Sequence, residues 1–238
     1  FLVNAAPVEG TQLFMVAAVL MALAVIPISL SSAQSPRLEN DAAMSIFQLF
    51  KTSPLGITAV FFCGVLSSAI SNMLPLFAAD NNLTGFNLSL VASSAVLGGM
   101  ILQFPVGALA DRFDRRTVMV GILLVCVCSA LVTPSLVGEF PLPVMLVAIG
   151  LTMGIVTCLY PLGVAETFDK LLSKEMIAAM GTLIAVYAAG SILGPFSGSL
   201  VIKYFGASAL FYFLAMVISA LIVFVLYRMQ VREALPTE

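Results

Sequence analysis

The sequence predicts an all-α polytopic membrane protein with seven transmembrane helices. Three observations predict this fold class: only 9% of the 238 residues are charged, 61% are hydrophobic, and the charges divide the chain into seven long uncharged runs. A soluble domain carries roughly 25% charged residues, because its surface faces water. A chain with so little charge cannot cover its surface with polar groups, so lipid must form a large part of its surroundings.

Each uncharged run is long enough to cross the hydrocarbon core of a bilayer, which takes about 20 apolar residues. Because no water in that core can hydrogen-bond the backbone, each run is predicted to be a helix. The third helix is expected to begin near Asn87, after a turn-forming segment at residues 81–85. The seven runs are 10–36, 52–79, 81–110, 117–138, 140–165, 176–202 and 204–227.

The basic residues predict the orientation of these helices. Nine of the ten lie on one side of the predicted membrane, and only Lys203 lies on the other. By the positive-inside rule the first side is cytoplasmic, which places the start of the chain outside and its tail inside. The nine are Arg37, Lys51, Arg112, Arg115, Arg116, Lys170, Lys174, Arg228 and Arg232.

The longest connection between runs is residues 31–53. Its middle part places Met44, Phe47 and Phe50 at helical spacing, which predicts a short amphipathic helix on the inner membrane surface. Ser53-Pro54 then predicts an N-cap and a first-turn proline for the next helix. A cytoplasmic linker of this length indicates a joint between two domains.

The composition excludes several functions. The chain has no histidine, which removes Ser-His and Cys-His catalysis and histidine-ligated metals. Its four cysteines lie inside uncharged runs without zinc spacing, so we interpret them as packing residues. A net charge of −2 provides no basic field for nucleic acid. We therefore predict no enzyme activity, catalytic residue, cofactor, metal or nucleic-acid partner.

A distinctive loop, GALADRFDRR, runs from Gly107 to Arg116 after the third run. It resembles the cytoplasmic loop motif of the major facilitator superfamily, G-x-L-x-D-R-x-G-R-R, with Asp114 where the family has glycine. Aspartate tolerates left-handed backbone better than most residues, so the turn is expected to be kept. The resemblance implies a conformational-switch loop formed by Gly107, Asp111, Arg112, Arg115 and Arg116.

The charges of this loop have a second interpretation, a plain positive-inside loop with two compensating acids. The spacing of Gly107 and Leu109 and the flanking runs favour the family motif. A carboxylate such as Asp111 is unfavourable at a helix C-terminus and needs a partner, either an arginine or the N-terminus of another helix. Such a contact can form in one conformation and break in another.

The sixth run carries the pattern G-x8-G-x3-G-P-x2-G. It is similar to the family's glycine-rich motif, with Ser199 in place of a final glycine, and we interpret it as a helix-packing motif. Glycines four residues apart form a smooth face that a second helix can approach closely, and the proline bends the helix. The motif residues are Gly181, Gly190, Gly194, Pro195 and Gly198.

Together the two motifs number the runs as helices six to twelve of a twelve-helix family fold. The predicted domains are then the last helix of an N-terminal half (1–32), a cytoplasmic linker with the amphipathic helix (33–53), a six-helix C-terminal half (54–230) and a cytoplasmic tail (231–238). Because the chain begins on Phe1 without a basic leader, we expect it to be part of a longer protein. The segments Tyr160-Pro161-Leu162 and Asp169-Lys170-Leu171 look like those of bacterial permeases of the YcaD type.

The resemblance implies a permease or efflux protein that moves a small solute by alternating access, in the bacterial inner membrane. Its partners would be the lipid bilayer, the solute and the missing N-terminal half. Because this fold binds its substrate at mid-membrane, polar residues of the second and fifth runs, with two others, are candidate lining residues; for any single one of them, interhelical or local hydrogen bonding is the favoured interpretation. They are Ser68, Asn72, Gln103, Thr157, Tyr160 and Tyr187.

No charged residue is predicted near the middle of a run, where it would indicate ion coupling. Glu166 is expected at the inner end of the fifth run, beside Asp169 and Lys170. The alternative function is a seven-helix receptor or sensor, although a retinal protein needs a membrane-embedded lysine and Lys203 lies between runs. A membrane enzyme or a channel has less support, because histidine, clustered intramembrane acids and a selectivity-filter loop are absent from the sequence.

Overall fold

A computed structural model describes residues 11–30 and 44–231, and all structural statements concern these residues. They contain eight α-helices and no strand. A 3₁₀ turn, Thr133–Leu136, directly extends the fifth helix. The helices are α1 (Gln12–Ser29), α2 (Ile46–Thr52), α3 (Pro54–Asp80), α4 (Phe86–Arg112), α5 (Arg115–Val132), α6 (Leu142–Phe168), α7 (Met176–Phe205) and α8 (Ala209–Val231).

Six helices, α3 to α8, are long and apolar enough to cross a membrane. This is one fewer than the seven predicted. The first run does form a helix, but the described apolar part of α1, Phe14–Pro27, is shorter than a span. The end of that run and residues 37–43 of the linker lie outside the described residues, as do Arg232 and most of the predicted tail.

The start of α4 confirms the prediction made from the turn-forming segment. Asn82 and Gly85 have φ values of 58° and 57°, in the left-handed region. Asparagine and glycine adopt this conformation at least cost. The chain therefore turns at these two residues, and α4 begins at Phe86, one residue from the predicted position.

Four helices form a row in the order α4, α6, α3, α7, with α5 and α8 packed behind α6 and α3. Phe77 of α3 meets Phe211 of α8 edge to face, with ring centroids 4.8 Å apart. Because α3 and α6 have helices on three sides, their exposed residues mark a fourth side that no described helix covers. Ser71, Asn72 and Pro161 lie on this side, which we call the open face.

The predicted linker helix is present as α2. Its Leu49 is fully buried in a small apolar cluster with Val60 of α3 and Leu183 of α7, and the Thr182 hydroxyl donates to the carbonyl of Met44. Phe47 and Phe50 remain exposed, whereas Met44 packs against the cluster, so the amphipathic character of the linker helix stays a prediction. Its position at a membrane surface stays a prediction as well.

Candidate functional site

A charged cluster joins the ends of three helices. Arg116 of α5 and Lys170 after α6 both contact the Glu166 carboxylate, at Nε–Oε1 and Nζ–Oε1 distances of 3.1 and 2.6 Å. Lys170 Nζ also donates to Ser53 Oγ at 3.2 Å, at the start of α3. The Glu166 and Arg116 side chains are only 7% and 8% exposed. These four residues are the charged cluster.

The helix ends explain why these charges pair with one another. Arg116 lies in the first turn of α5 and Glu166 in the last turn of α6. The helix dipole disfavours a cation at an N-terminus and an anion at a C-terminus. Each charge is therefore unfavourable on its own helix, and their pairing across the two helices offsets both penalties.

Ser53 occupies the predicted N-cap position of α3, but its side chain makes no cap hydrogen bond. The hydroxyl instead donates to the Glu166 carbonyl at 3.5 Å while accepting from Lys170. Pro54 follows as the first residue of α3, as predicted. The serine therefore joins α3 to α6 rather than capping its own helix.

The loop predicted to be a conformational switch adjoins the charged cluster and shares Arg116 with it. Arg115 forms an ion pair with Asp169 at 3.1 Å, with side chains 25% and 46% exposed. A cavity of about 320 Å³ separates the loop from the end of α6 and includes Asp111 and Arg112 in its lining. Within the described residues Asp111 is exposed and has no ion pair. Two of the loop arginines, Arg115 and Arg116, thus pair with carboxylates at the end of α6, and the predicted partner of Asp111 remains a proposal.

Asp114 behaves differently from the expectation of a left-handed turn. Its φ and ψ are −54° and 123°, and it is the N-cap of α5. The carboxylate accepts from the backbone N–H and the hydroxyl of Thr117, both at 3.1 Å. The replacement of glycine is therefore explained by capping, which satisfies a free helix N–H.

The glycine motif lies mainly where α7 meets α3. A Cβ added at Gly190 would overlap the carbonyl oxygen of Phe61, and one at Gly194 would overlap that of Val65. Gly198 is also buried, with Met73 beside it. Gly181 is exposed with open space around it, and Pro195 lies inside α7 without ending it.

A second glycine contact joins α4 to α6. A Cβ at Gly98 would overlap the carbonyl oxygen of Gly150, and one at Gly154 would lie 2.5 Å from the carbonyl oxygen of Gly98. Sequence reasoning did not single out these residues. The four-residue spacing of Gly150 and Gly154 was the available signal, because it places both on one side of α6.

A central cavity of about 310 Å³ lies between α3, α6 and α7. It brings three candidate lining residues together, Thr157, Tyr160 and Tyr187, beside Cys63 and Ser67. The two tyrosine rings meet edge to face, with centroids 5.3 Å apart. Ser67 is at the midpoint of α3, so the cavity is at half height in the bundle.

The other three candidates lie elsewhere. Ser68 donates to the Gly64 carbonyl at 2.7 Å and faces Gly194, so it is a packing residue of the α3–α7 contact. Asn72 is exposed and donates to the Ser68 carbonyl at 2.8 Å. Gln103 lines a separate groove between α4 and α6, with Asp111 at one end.

The described residues contain no group of three or more His, Cys, Asp and Glu that could hold a metal. The described structure has the features of a polytopic membrane protein: six apolar helices, a neutral cavity between them and a charged loop at one end.

Comparison with known proteins defines the family. Residues 55–238 match the family model of the Major Facilitator Superfamily. The chain is similar to a protein described as "Uncharacterized MFS-type transporter YcaD" from Escherichia coli O17:K52:H18, with 26% identity over 199 residues that cover 81% of this chain and 50% of that protein. YcaD of Escherichia fergusonii is 24% identical over 195 residues, and that of Shigella flexneri 26% over 199 residues, with the same coverage.

The chain belongs to the major facilitator superfamily, because the family model matches well over half of it. It spans half the length of the relatives to which it is similar. The family resemblance stated from the loop and glycine motifs is therefore confirmed, together with its narrower form, the similarity to YcaD.

Proposed function

We propose that this chain is one half of a secondary transporter, together with the helix and linker that join it to the other half. The open face carries this proposal. Helices α3 and α6 are covered on three sides, yet their fourth side presents polar residues and the central cavity. A first half that packs against this face would enclose the cavity between two bundles, where transporters of this kind bind solutes.

Alternating access requires that each half moves as a body. The contacts within this half favour such motion. At the glycines, the backbones of α3 and α7 are in direct contact, as are those of α4 and α6. The charged cluster joins the ends of α3, α5 and α6. Rocking of this body against the other half would open the cavity to each side of the membrane in turn, which moves a small solute without ATP.

Asp111 is the residue proposed to change partners during this motion. It is exposed at the end of α4, where the helix dipole disfavours its charge. Gly107, one turn earlier, also has open space beside it. A helix N-terminus or a cation of the other half would fit beside Gly107 and stabilise Asp111 in one conformation only.

The proposed location is the bacterial inner membrane, with the loop and the charged cluster on the cytoplasmic side. Basic residues Lys51, Arg112 and Lys174 lie at the same end of the bundle as the cluster, and Lys203 lies in the last turn of α7 at the opposite end. This asymmetry agrees with the positive-inside rule. In this arrangement α1 is the last helix of the first half, and α2 lies on the inner surface.

The test uses the full-length protein that contains this chain. Cells that express it are compared with cells that lack it by untargeted mass spectrometry of internal and external solutes, and each solute whose distribution changes is measured in proteoliposomes. We expect Asp111→Asn to lower the transport rate at least tenfold with normal expression, because the conformation that Asp111 stabilises is lost.

Asp80→Asn is the matched control, since it makes the same chemical change at the end of α3, on the opposite side of the bundle from Asp111 at the end of α4. We expect near-normal transport from this control. Normal transport by Asp111→Asn would remove the proposed role of the loop, and a full-length protein that redistributes no solute would remove the transport function itself.

A further inference from the structure

We propose that the central cavity binds a neutral aromatic solute that carries a hydrogen-bond acceptor. The inference rests on the proposed transport function and adds the chemical class of the solute. Three features of the cavity support it: the aromatic wall, the absence of nearby charge, and a phenol hydroxyl available to the solute.

The aromatic wall consists of Tyr160 of α6 and Tyr187 of α7. Their rings are 5.3 Å apart and at 79° to each other, so the edge of one ring meets the face of the other. Aromatic pairs prefer this geometry, and such contacts add stability beyond area burial. A planar solute in the cavity can extend the same pattern with a third ring.

The lining residues that the structure describes include no Asp, Glu, Lys or Arg. On the three lining helices the nearest such residue is Glu166, six residues after Tyr160 and hence roughly 9 Å further along α6. Its carboxylate is already paired with Arg116 and Lys170. An ionic solute would therefore lose its hydration without gaining a counter-charge from this half, and an unpaired ion in an apolar site is strongly disfavoured.

The hydrogen-bonding groups define the polar part of the solute. Tyr187 donates its hydroxyl to Ser67 at 3.4 Å, Thr157 donates to the Gly154 carbonyl at 2.8 Å, and Cys63 donates to the Val156 carbonyl at 3.2 Å. Among the described lining residues, the Tyr160 hydroxyl alone makes no hydrogen bond. It can donate to a carbonyl, ether or nitrile of the solute without breaking an existing bond.

The experiment compares two dyes of one ring skeleton. N-phenyl-1-naphthylamine is neutral, and 1-anilinonaphthalene-8-sulfonate adds one negative charge. Their fluorescence is titrated against the full-length protein in lipid nanodiscs, with empty nanodiscs subtracted. We expect saturable binding of the neutral dye and at least tenfold weaker binding of the sulfonate.

Variants locate the dye. Tyr160→Ala and Tyr187→Ala are each expected to weaken binding of the neutral dye by roughly tenfold, through the loss of ring contact and buried area. Tyr227→Ala removes an exposed tyrosine of α8 far from the cavity and is expected to leave binding unchanged.

Tyr160→Phe keeps the ring and removes only the free hydroxyl. It is expected to bind the neutral dye nearly as wild type does, and to lose affinity for 1-acetylnaphthalene, whose carbonyl accepts a hydrogen bond.

Equal or tighter binding of the sulfonate, or unchanged binding by both alanine variants, would overturn the proposed solute class. The outcome is separable from that of the transport test. If charged solutes are transported while the neutral dye does not bind, the solute class is wrong and the transport function stands. If the dye binds at the two tyrosines while no solute is redistributed, the site stands and the transport function fails.

Discussion

Glu166 is the residue on which the charged end of the bundle depends. One buried carboxylate holds two cations, Arg116 and Lys170, and the Ser53 hydroxyl satisfies a further donor of the lysine. Buried ions are expensive, and such a pair is stable only when every charge keeps its partner. The cluster therefore acts as a unit, because both cations share this one carboxylate.

We predict that Glu166→Gln destabilises the protein by about 3–5 kcal/mol, the cost of leaving a buried charge without its partner. Asp169→Asn is the control, because it breaks the neighbouring ion pair with Arg115, which is partly exposed, and exposed pairs contribute about 0–1 kcal/mol. The measurement is the thermal midpoint of the purified full-length protein in detergent. Similar losses from the two variants would show that the burial of the cluster does not matter.

At the residue scale, the sequence predicted the neighbours of Glu166 that are close in the chain, but not Arg116, which approaches it from another helix. Asp169 and Lys170 follow on the same helix end, so their proximity is a matter of spacing. Arg116 is 50 residues away, and its approach depends on how the ends of α5 and α6 meet. Asp114 was likewise recognised as a departure from the motif, and its capping role became visible only once α5 was seen to begin at Arg115.

Glycine contacts determine how the helices pair. Gly64 of α3 also lies against α7, where a Cβ would overlap the carbonyl of Tyr187, so α3 and α7 each present glycine to the backbone of the other. Without a hydrophobic driving force between helices in lipid, close van der Waals contact is a main source of stability. The long contact of α3 with α7 follows from these small residues.

We predict that Gly190→Ala lowers stability by about 1–3 kcal/mol, since the added methyl must displace backbone of α3. Gly181→Ala is the matched control in the same motif and helix. It adds the same methyl into open space, so its stability is expected to be unchanged or slightly higher, as alanine favours helix over glycine. Scanning fluorimetry of the two full-length variants measures the difference, and equal shifts would contradict the α3–α7 packing.

At the scale of elements the prediction from sequence was strongest. Six of the seven uncharged runs are helices of membrane-spanning length, because charge is excluded wherever lipid surrounds the chain. The glycine motif predicted a close helix contact but not its partner, and it included Gly181, which makes none. The α4–α6 contact was missed because the spacing of Gly150 and Gly154 marks only a side of α6 with small residues. It does not identify Gly98 of α4 as the residue opposite them.

The bundle as a whole is asymmetric. Helices α5 and α8 cover one side of α3 and α6, whereas Ser71, Asn72 and Pro161 are exposed on the other. The chain also spans half the length of its YcaD relatives. Both facts agree with the proposed molecule of two bundles that meet at the open face. Under the proposed alternating access, such a molecule would expose that face to each side of the membrane in turn.

The most direct measurement of this claim follows the accessibility of Ser71, which lies four residues, or about 6 Å, beyond the midpoint of α3. In a full-length protein whose other cysteines are replaced, Ser71→Cys is treated with a membrane-impermeant maleimide, in intact cells and in inside-out vesicles. Alternating access predicts labelling from both sides, with Asp111→Asn shifting the ratio of the two rates. Labelling from one side only, at a ratio that Asp111→Asn leaves unchanged, would contradict it.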